Sequence, residues 1–195
     1  MTDRLSHIQQ APSNIHRFTM SNIRPYKGIH PVLAEGVYID ESAVIIGDVH
    51  IGKDSSVWPL TVIRGDVNHC RIGERCNIQD GSVIHLSRTR PSNPNGYPTI
   101  LGDNVSIGHK VMLHGCTIGN NVLIGMGAII LDGAVIEDEV LVGAGSMVTQ
   151  GKRLESGYLY MGTPAKKIRP LKDGERELFT RTAGDYVELK GEYAS

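Results

Sequence analysis

Three histidines, His85, His109 and His114, lie within about thirty residues of one another in the stretch NIQDGSVIHLSRTRPSNPNGYPTILGDNVSIGHKVMLHGCTIGNNVLI, residues 77–124. Imidazole is a common metal ligand and the side chain that titrates closest to neutral pH. Three of them together point to metal coordination or proton transfer. Which chemistry is open to them depends on where the scaffold aims each ring.

The scaffold has a period of six. Leu33, Ile39, Ile45, Ile51, Val57 and Ile63 recur at every sixth residue, followed by Ile72, Ile78 and Ile84, then Leu101, Ile107 and Leu113. The run Ile118, Ile124, Ile130, Ile136, Val142 and Val148 completes the series. A helix would show apolar spacings of three and four, and a half-buried strand a spacing of two. A period of six fits a short strand plus a corner, so the expected fold is all-β, a parallel β-helix of hexapeptide repeats. Each coil of such a solenoid buries its apolar positions only by stacking on its neighbours. Three hexads make one coil, which gives about six coils with a rung spacing of about 4.8 Å.

Three irregularities interrupt the count. Ile63 to Ile72 carries three extra residues, Ile84 to Leu101 eleven, and Leu113 to Ile118 one fewer. All lie close to the histidines, where loops pushed out of a rigid scaffold can shape a site. His85 and His114 each follow their aliphatic residue directly and stand three hexads apart, so they stack on one face, with Arg64 below them in the same column. His109 falls on another face, with Asp80 one coil beneath it and Gln79 beside that column. A homotrimer would bring the two faces of neighbouring prisms together. His85 and His114 would then meet a neighbour's His109, forming a three-imidazole set with an open position, as in catalytic zinc sites. Arg64 and Asp80 could pair across the same seam. A lone histidine in such a repeat is most often only exposed or hydrogen-bonded, and His7, His16, His30 and His50 belong in that class.

The 195 residues suit one domain, and 5% aromatic content with 23 glycines argues against a core built on large rings. A net charge of −1 offers no long-range attraction to nucleic acid or an anionic membrane. No apolar run is long enough for a membrane helix, and the start lacks the apolar core of a secretory signal, so a cytoplasmic protein is expected. Cys70, Cys76 and Cys116 form no CxxC pair; Cys76, at the small inward position of its hexad, reads as core, while Cys116, just after His114, is expected near the metal, where three histidines already suffice. Residues 1–19 read as a disordered N-terminal extension, 20–170 as the β-helix domain and 171–195 as a C-terminal helix packed along it. That helix has Asp173 as N-cap and Phe179, Ala183 and Tyr186 on one face. After Val148 the ladder is expected to end, leaving residues 156–170 as an extended segment.

VIRGDV at 62–67, IGERCNIQDGSVIH at 72–85 and IGHKVMLHGCTIG at 107–119 make the chain resemble the γ-class carbonic anhydrases. SGYLYMGTPAKKIRP at 156–170 is similar to their compact bacterial YrdA-type branch. The resemblance covers about residues 20–190. It implies a left-handed coil, a homotrimer, and metal ligands at His85, His109 and His114, with Zn²⁺ as the ion and Fe²⁺ or Co²⁺ as acceptable substitutes. It also implies that Gln79 orients a metal-held hydroxide, that Arg64, Asp66 and Asp80 form an interfacial polar network, and that Tyr160 reaches the substrate side. The implied activity is that of a carbonate dehydratase-like zinc lyase, in which hydroxide attacks CO₂ to give bicarbonate. Zinc brings the pKa of bound water into the neutral range, an effect whose standard illustration is itself a carbonic anhydrase.

Two departures from the pattern bear on turnover. Val67 stands where the prototype has a glutamate, and the 87–98 loop holds Arg88 and Arg90 but no carboxylate. Export of the proton would then fall to His69 or Tyr160, and weak or absent hydration is expected. The same coil also carries hexapeptide acyltransferases that use acyl-CoA. A metal-dependent CoA thioesterase, like the similar PaaY proteins, and a non-enzymatic metal-binding scaffold are further alternatives.

Overall fold

The computed structural model describes residues 22–193, so the 1–19 extension lies outside the described residues. Short parallel strands stack in register along the chain, each aliphatic position on the one three hexads before it. One column runs Ile45, Ile63, Ile84, Leu113, Ile130 and Val148. A second runs Ile72, Leu101, Ile118, Ile136 and Leu154. A third runs Val57, Ile78, Ile107, Ile124 and Val142. All of these side chains are buried, and they form one continuous core. Each fully buried aliphatic side chain contributes about 1.5–3 kcal/mol, as an upper estimate. The narrow interior of a coil has room for such chains and little else, which accounts for the low aromatic content.

The first two faces belong to one twelve-stranded sheet because the strands Val44–Ile51 and Val62–Ile72 run around their shared corner without a break. The three residues extra to the repeat between Ile63 and Ile72 are absorbed in that corner strand. The third face is an eight-stranded sheet. The ladder does not end at Val148. Leu154 continues the second column and Tyr160 sits over Val142 on the third, after which Lys166–Pro170 turns back antiparallel. A tyrosine is tolerated at the last inward position because no complete coil lies above it to restrict its volume.

The helix Asp173–Tyr193 lies along the third face. Phe179 packs with Leu159 and Leu171 against the outward-facing Leu123 and Leu141. Trp58 is buried, its ring centroid 5.3 Å from that of Tyr186 and 5.2 Å from that of Tyr193. Lys190 is buried too, donating to Asp54 Oδ1 at 2.9 Å and to the Gly36 carbonyl. Asp173 is not the cap. Glu175 reaches back and accepts from the Lys172 backbone N–H at 2.8 Å, while Arg169 grips the same carboxylate with two bonds of 2.7 Å. This is the carboxylate half of a capping box.

Candidate metal site

His85 and His114 stand in register at the ends of the adjacent strands Val83–His85 and Met112–His114. Each ring is oriented by a carboxylate. Nε2 of His85 lies 2.9 Å from Asp66 Oδ1, and Nδ1 of His114 lies 2.6 Å from Asp132 Oδ1. A carboxylate only accepts, so the nitrogen facing it carries the proton. The other two nitrogens, His85 Nδ1 and His114 Nε2, then face each other as bare lone pairs, 3.2 Å apart. Such a pair repels unless a cation lies between or beside them. Two ligands on one tetrahedral zinc at about 2.0–2.1 Å would have nitrogens about 3.3 Å apart. The donor set fits a divalent ion, with the carboxylates in the outer supporting positions that metal-bound histidines usually have.

Asp66 also takes an ion pair from Arg64. Burial alone would raise the Asp66 carboxyl, but the bonds from His85 and Arg64 outweigh it and hold its pKa low. Burial lowers the pKa of His85, against the pull of Asp66. Both shifts favour neutral imidazole beside ionised carboxylate, the form a ligand requires.

His109 is elsewhere, at the corner between the third and first faces. Its backbone carbonyl is held by Gly127 N at 2.8 Å, and the next residue, Lys110, takes a left-handed conformation with φ 58°. The hexad count holds here: Asp80 lies one coil below and its Oδ2 is 2.9 Å from His109 Nδ1, leaving the lone pair on Nε2 free. The ring is about half exposed. Gln79 adjoins this corner, its amide donating to Asn77 Oδ1 at 2.9 Å and Asn77 donating in turn to Ser106 Oγ at 2.8 Å. His109 and Gln79 share a cleft of about 240 Å³ with Leu123 and Met126. Asp66 lines a different one, with Lys27 and Arg88. Among the described residues of one chain, no three metal-capable side chains converge. Within one chain, His85 and His114 form a pair and His109 stands apart from them.

Tyr160 is brought neither to the His85–His114 pair nor to His109. It is an inward core residue at the far end of the coil, and its hydroxyl accepts from Glu155 N at 2.9 Å. Tyr160 keeps the hexad register that carries Val142 inward. His69 sits among Arg71, Asp48 and His50, and its pKa is lowered by burial and by Arg71. Cys116 is fully buried in the core, where desolvation raises its thiol pKa. Sequence reasoning missed Asp132. The signal was available, since Asp132 lies two residues beyond Ile130, the rung directly above Leu113.

The model for "bacterial transferase hexapeptide (six repeats)" matches residues 30–65, 98–128 and 115–150. Protein YrdA of Escherichia coli is 57% identical over 171 residues, covering 88% of this chain and 93% of the relative. A carbonic anhydrase of Geobacillus kaustophilus is 46% identical, covering 88% and 90%. The crystal structure of a hexapeptide transferase family protein from Anaplasma phagocytophilum superposes with a TM-score of 0.83 at 40% identity, covering 89% and 98%. The chain therefore belongs to the hexapeptide-repeat family, in the group that contains protein YrdA and the γ-class carbonic anhydrases.

Proposed function

We propose that the protein is a γ-carbonic anhydrase-like metalloprotein acting on CO₂ and bicarbonate. Its site would be completed at the interfaces of a homotrimer by His85 and His114 of one subunit and His109 of the partner subunit. The observation that carries this reading is the pair of bare nitrogens 3.2 Å apart on His85 and His114, each ring locked from behind by a carboxylate. The homologue named carbonic anhydrase supports the choice of substrate.

The corner that carries His109 suits packing against another copy. Leu60 and Met126 on that edge are 70% and 57% exposed, and Met112 on the neighbouring strand is 37% exposed. Apolar side chains gathered on one edge mark an association surface. Asp80 holds Nδ1 of His109 and so presents Nε2 outward, toward such a neighbour.

Zn²⁺, Fe²⁺ or Co²⁺ would be accepted by three neutral imidazoles. The ion would supply Lewis acidity, making water nucleophilic near neutral pH. The residues of the chain then have separate tasks. Asp66, Asp80 and Asp132 set the tautomers, and Arg64 keeps Asp66 ionised. Gln79, pinned by Asn77 and Ser106, offers a fixed amide beside His109 to orient the nucleophile. The 87–98 loop has no carboxylate to take the proton away, so turnover is limited at proton export.

The test is elemental analysis of protein purified without chelators or a histidine tag, with metal counted per trimer. About one ion per chain, lost in His109→Ala with the trimer intact, is the expected result. A metal-free wild type that stays empty after reloading would overturn the metalloprotein reading.

A further inference from the structure

The inserted 87–98 loop lacks the acid group that would make it a proton shuttle, and its construction shows a different use. It leaves the coil after the buried Leu86 and re-enters at the buried Thr99. Its neck is closed by Ser87 N to Tyr97 O at 3.0 Å and Tyr97 N to Ser87 O at 3.1 Å, with the Asn68 amide donating to the Ser87 carbonyl at 3.0 Å. Both ends of the neck touch the histidine strands. Ser87 Oγ donates to Asp132 Oδ2 at 2.7 Å, and Asp132 Oδ1 receives the His114 Nδ1 proton. Thr99 Oγ1 donates to the His85 carbonyl at 2.8 Å and accepts from Gly115 N at 3.1 Å.

The surrounding backbone is cut to fit this contact. Gly115 has φ 58°, and a Cβ there would lie 2.3 Å from Asp132 Oδ1 and 2.7 Å from Tyr97 Cβ. A Cβ on Gly133 would lie 2.8 Å from Tyr97 Cε1. Only two glycines leave room for the carboxylate to cross to His114 and for the tyrosine ring to close over it.

We propose that the neck of the inserted loop is a positioning device for His114, in which Ser87 holds Asp132 and Asp132 fixes the imidazole with Nδ1 protonated and Nε2 bare toward His85. The purpose of that orientation rests on the metal reading above; the orientation itself does not. A carboxylate with one oxygen bound by a hydroxyl cannot swing away from the ring. The ring in turn has one tautomer and one direction, as metal ligands with an outer hydrogen-bond partner do. Ser87 and Asp132 are positioning residues and touch no substrate.

The experiment uses full-length protein labelled with ¹⁵N-histidine, metal-free and at a pH where imidazole is neutral. Nitrogen shifts then report each tautomer. Wild-type His114 is expected as the Nδ1–H form, with Asp132→Ala shifting it toward Nε2–H and Ser87→Ala giving a mixture. Chelator competition with Co²⁺ should show affinity about 10–100-fold lower in Asp132→Ala and reduced by a smaller factor in Ser87→Ala. Melting of the metal-free variants separates positioning from a merely structural role, which would lower the melting temperature and leave the tautomer unchanged. Asp132→Asn serves if the alanine variant does not fold. An Nε2–H tautomer in the wild type, or variants with wild-type tautomer and Co²⁺ affinity, would overturn the proposal. A wild type with the expected tautomer that takes up no Co²⁺ would instead defeat the metal reading and leave the positioning intact.

Discussion

His85 Nδ1 and His114 Nε2 face each other at 3.2 Å from adjacent coils, with Asp66 behind one ring and Asp132 behind the other. Neither carboxylate is in the same hexad as the ring it holds. The histidine pair is therefore assembled by stacking, and its geometry follows the ladder beneath it.

If His109 completes a neighbour's site, two defective chains should repair one another. His109→Ala and His114→Ala are each expected to lose metal. Refolded together in equal amounts as mixed trimers, they should recover metal at about a quarter of the sites, since only one ordering of the two chains in four supplies all three rings. Metal counted after co-refolding checks this, and recovery at zero would mean that each site lies within a single chain.

Slow proton export predicts rescue from outside. CO₂ hydration by the metal-loaded protein should be weak in dilute buffer and should rise with added imidazole, which takes the proton that no loop carboxylate accepts. Stopped-flow assays with a pH indicator over a buffer series measure it. A fast rate independent of buffer would show an internal shuttle at work.

The ladder predicts that the site residues depend on buried neighbours. Ile84 is fully buried, stacked between Ile63 and Leu113 and adjacent to His85. Ile84→Ala removes packing from both sides, with a cost of about 2–5 kcal/mol. Denaturant unfolding of the metal-free protein measures that loss.

The helix cap carries a pH dependence of definite sign. Bonds from Arg169 and from the Lys172 backbone N–H hold the Glu175 pKa down to about 2. A folded-state pKa below the unfolded value, about 4.3, gives stability that is present above that value and is lost as pH falls toward 2. Glu175→Gln should melt below wild type at pH 7, and the gap should close by about pH 2. A gap of constant size across that range would show that the carboxylate charge has no part in holding the helix.

The period of six was legible in the sequence because each coil repeats the same stacking requirement at every sixth residue. Counting hexads was enough to put His85 beside His114 and Asp80 under His109, since parallel register converts residue number directly into height along the axis. The same arithmetic extends the ladder past Val148 through the aliphatic Leu154 and carries Tyr160 into the core, but the aromatic residue at that last inward position hid where the period ends. What only the tertiary structure decided were contacts sideways from the ladder, where side-chain reach and corner geometry matter more than register. Asp66 turning to His85, Asp132 crossing over Gly115 to His114, and Ser87 closing the loop onto Asp132 are of that kind. So is the choice of Glu175 over Asp173 as the helix cap, which depends on Arg169 arriving from an antiparallel strand. Hydrogen bonds between residues 18 to 45 positions apart follow from the path of the backbone at corners and insertions, and no local pattern records that path.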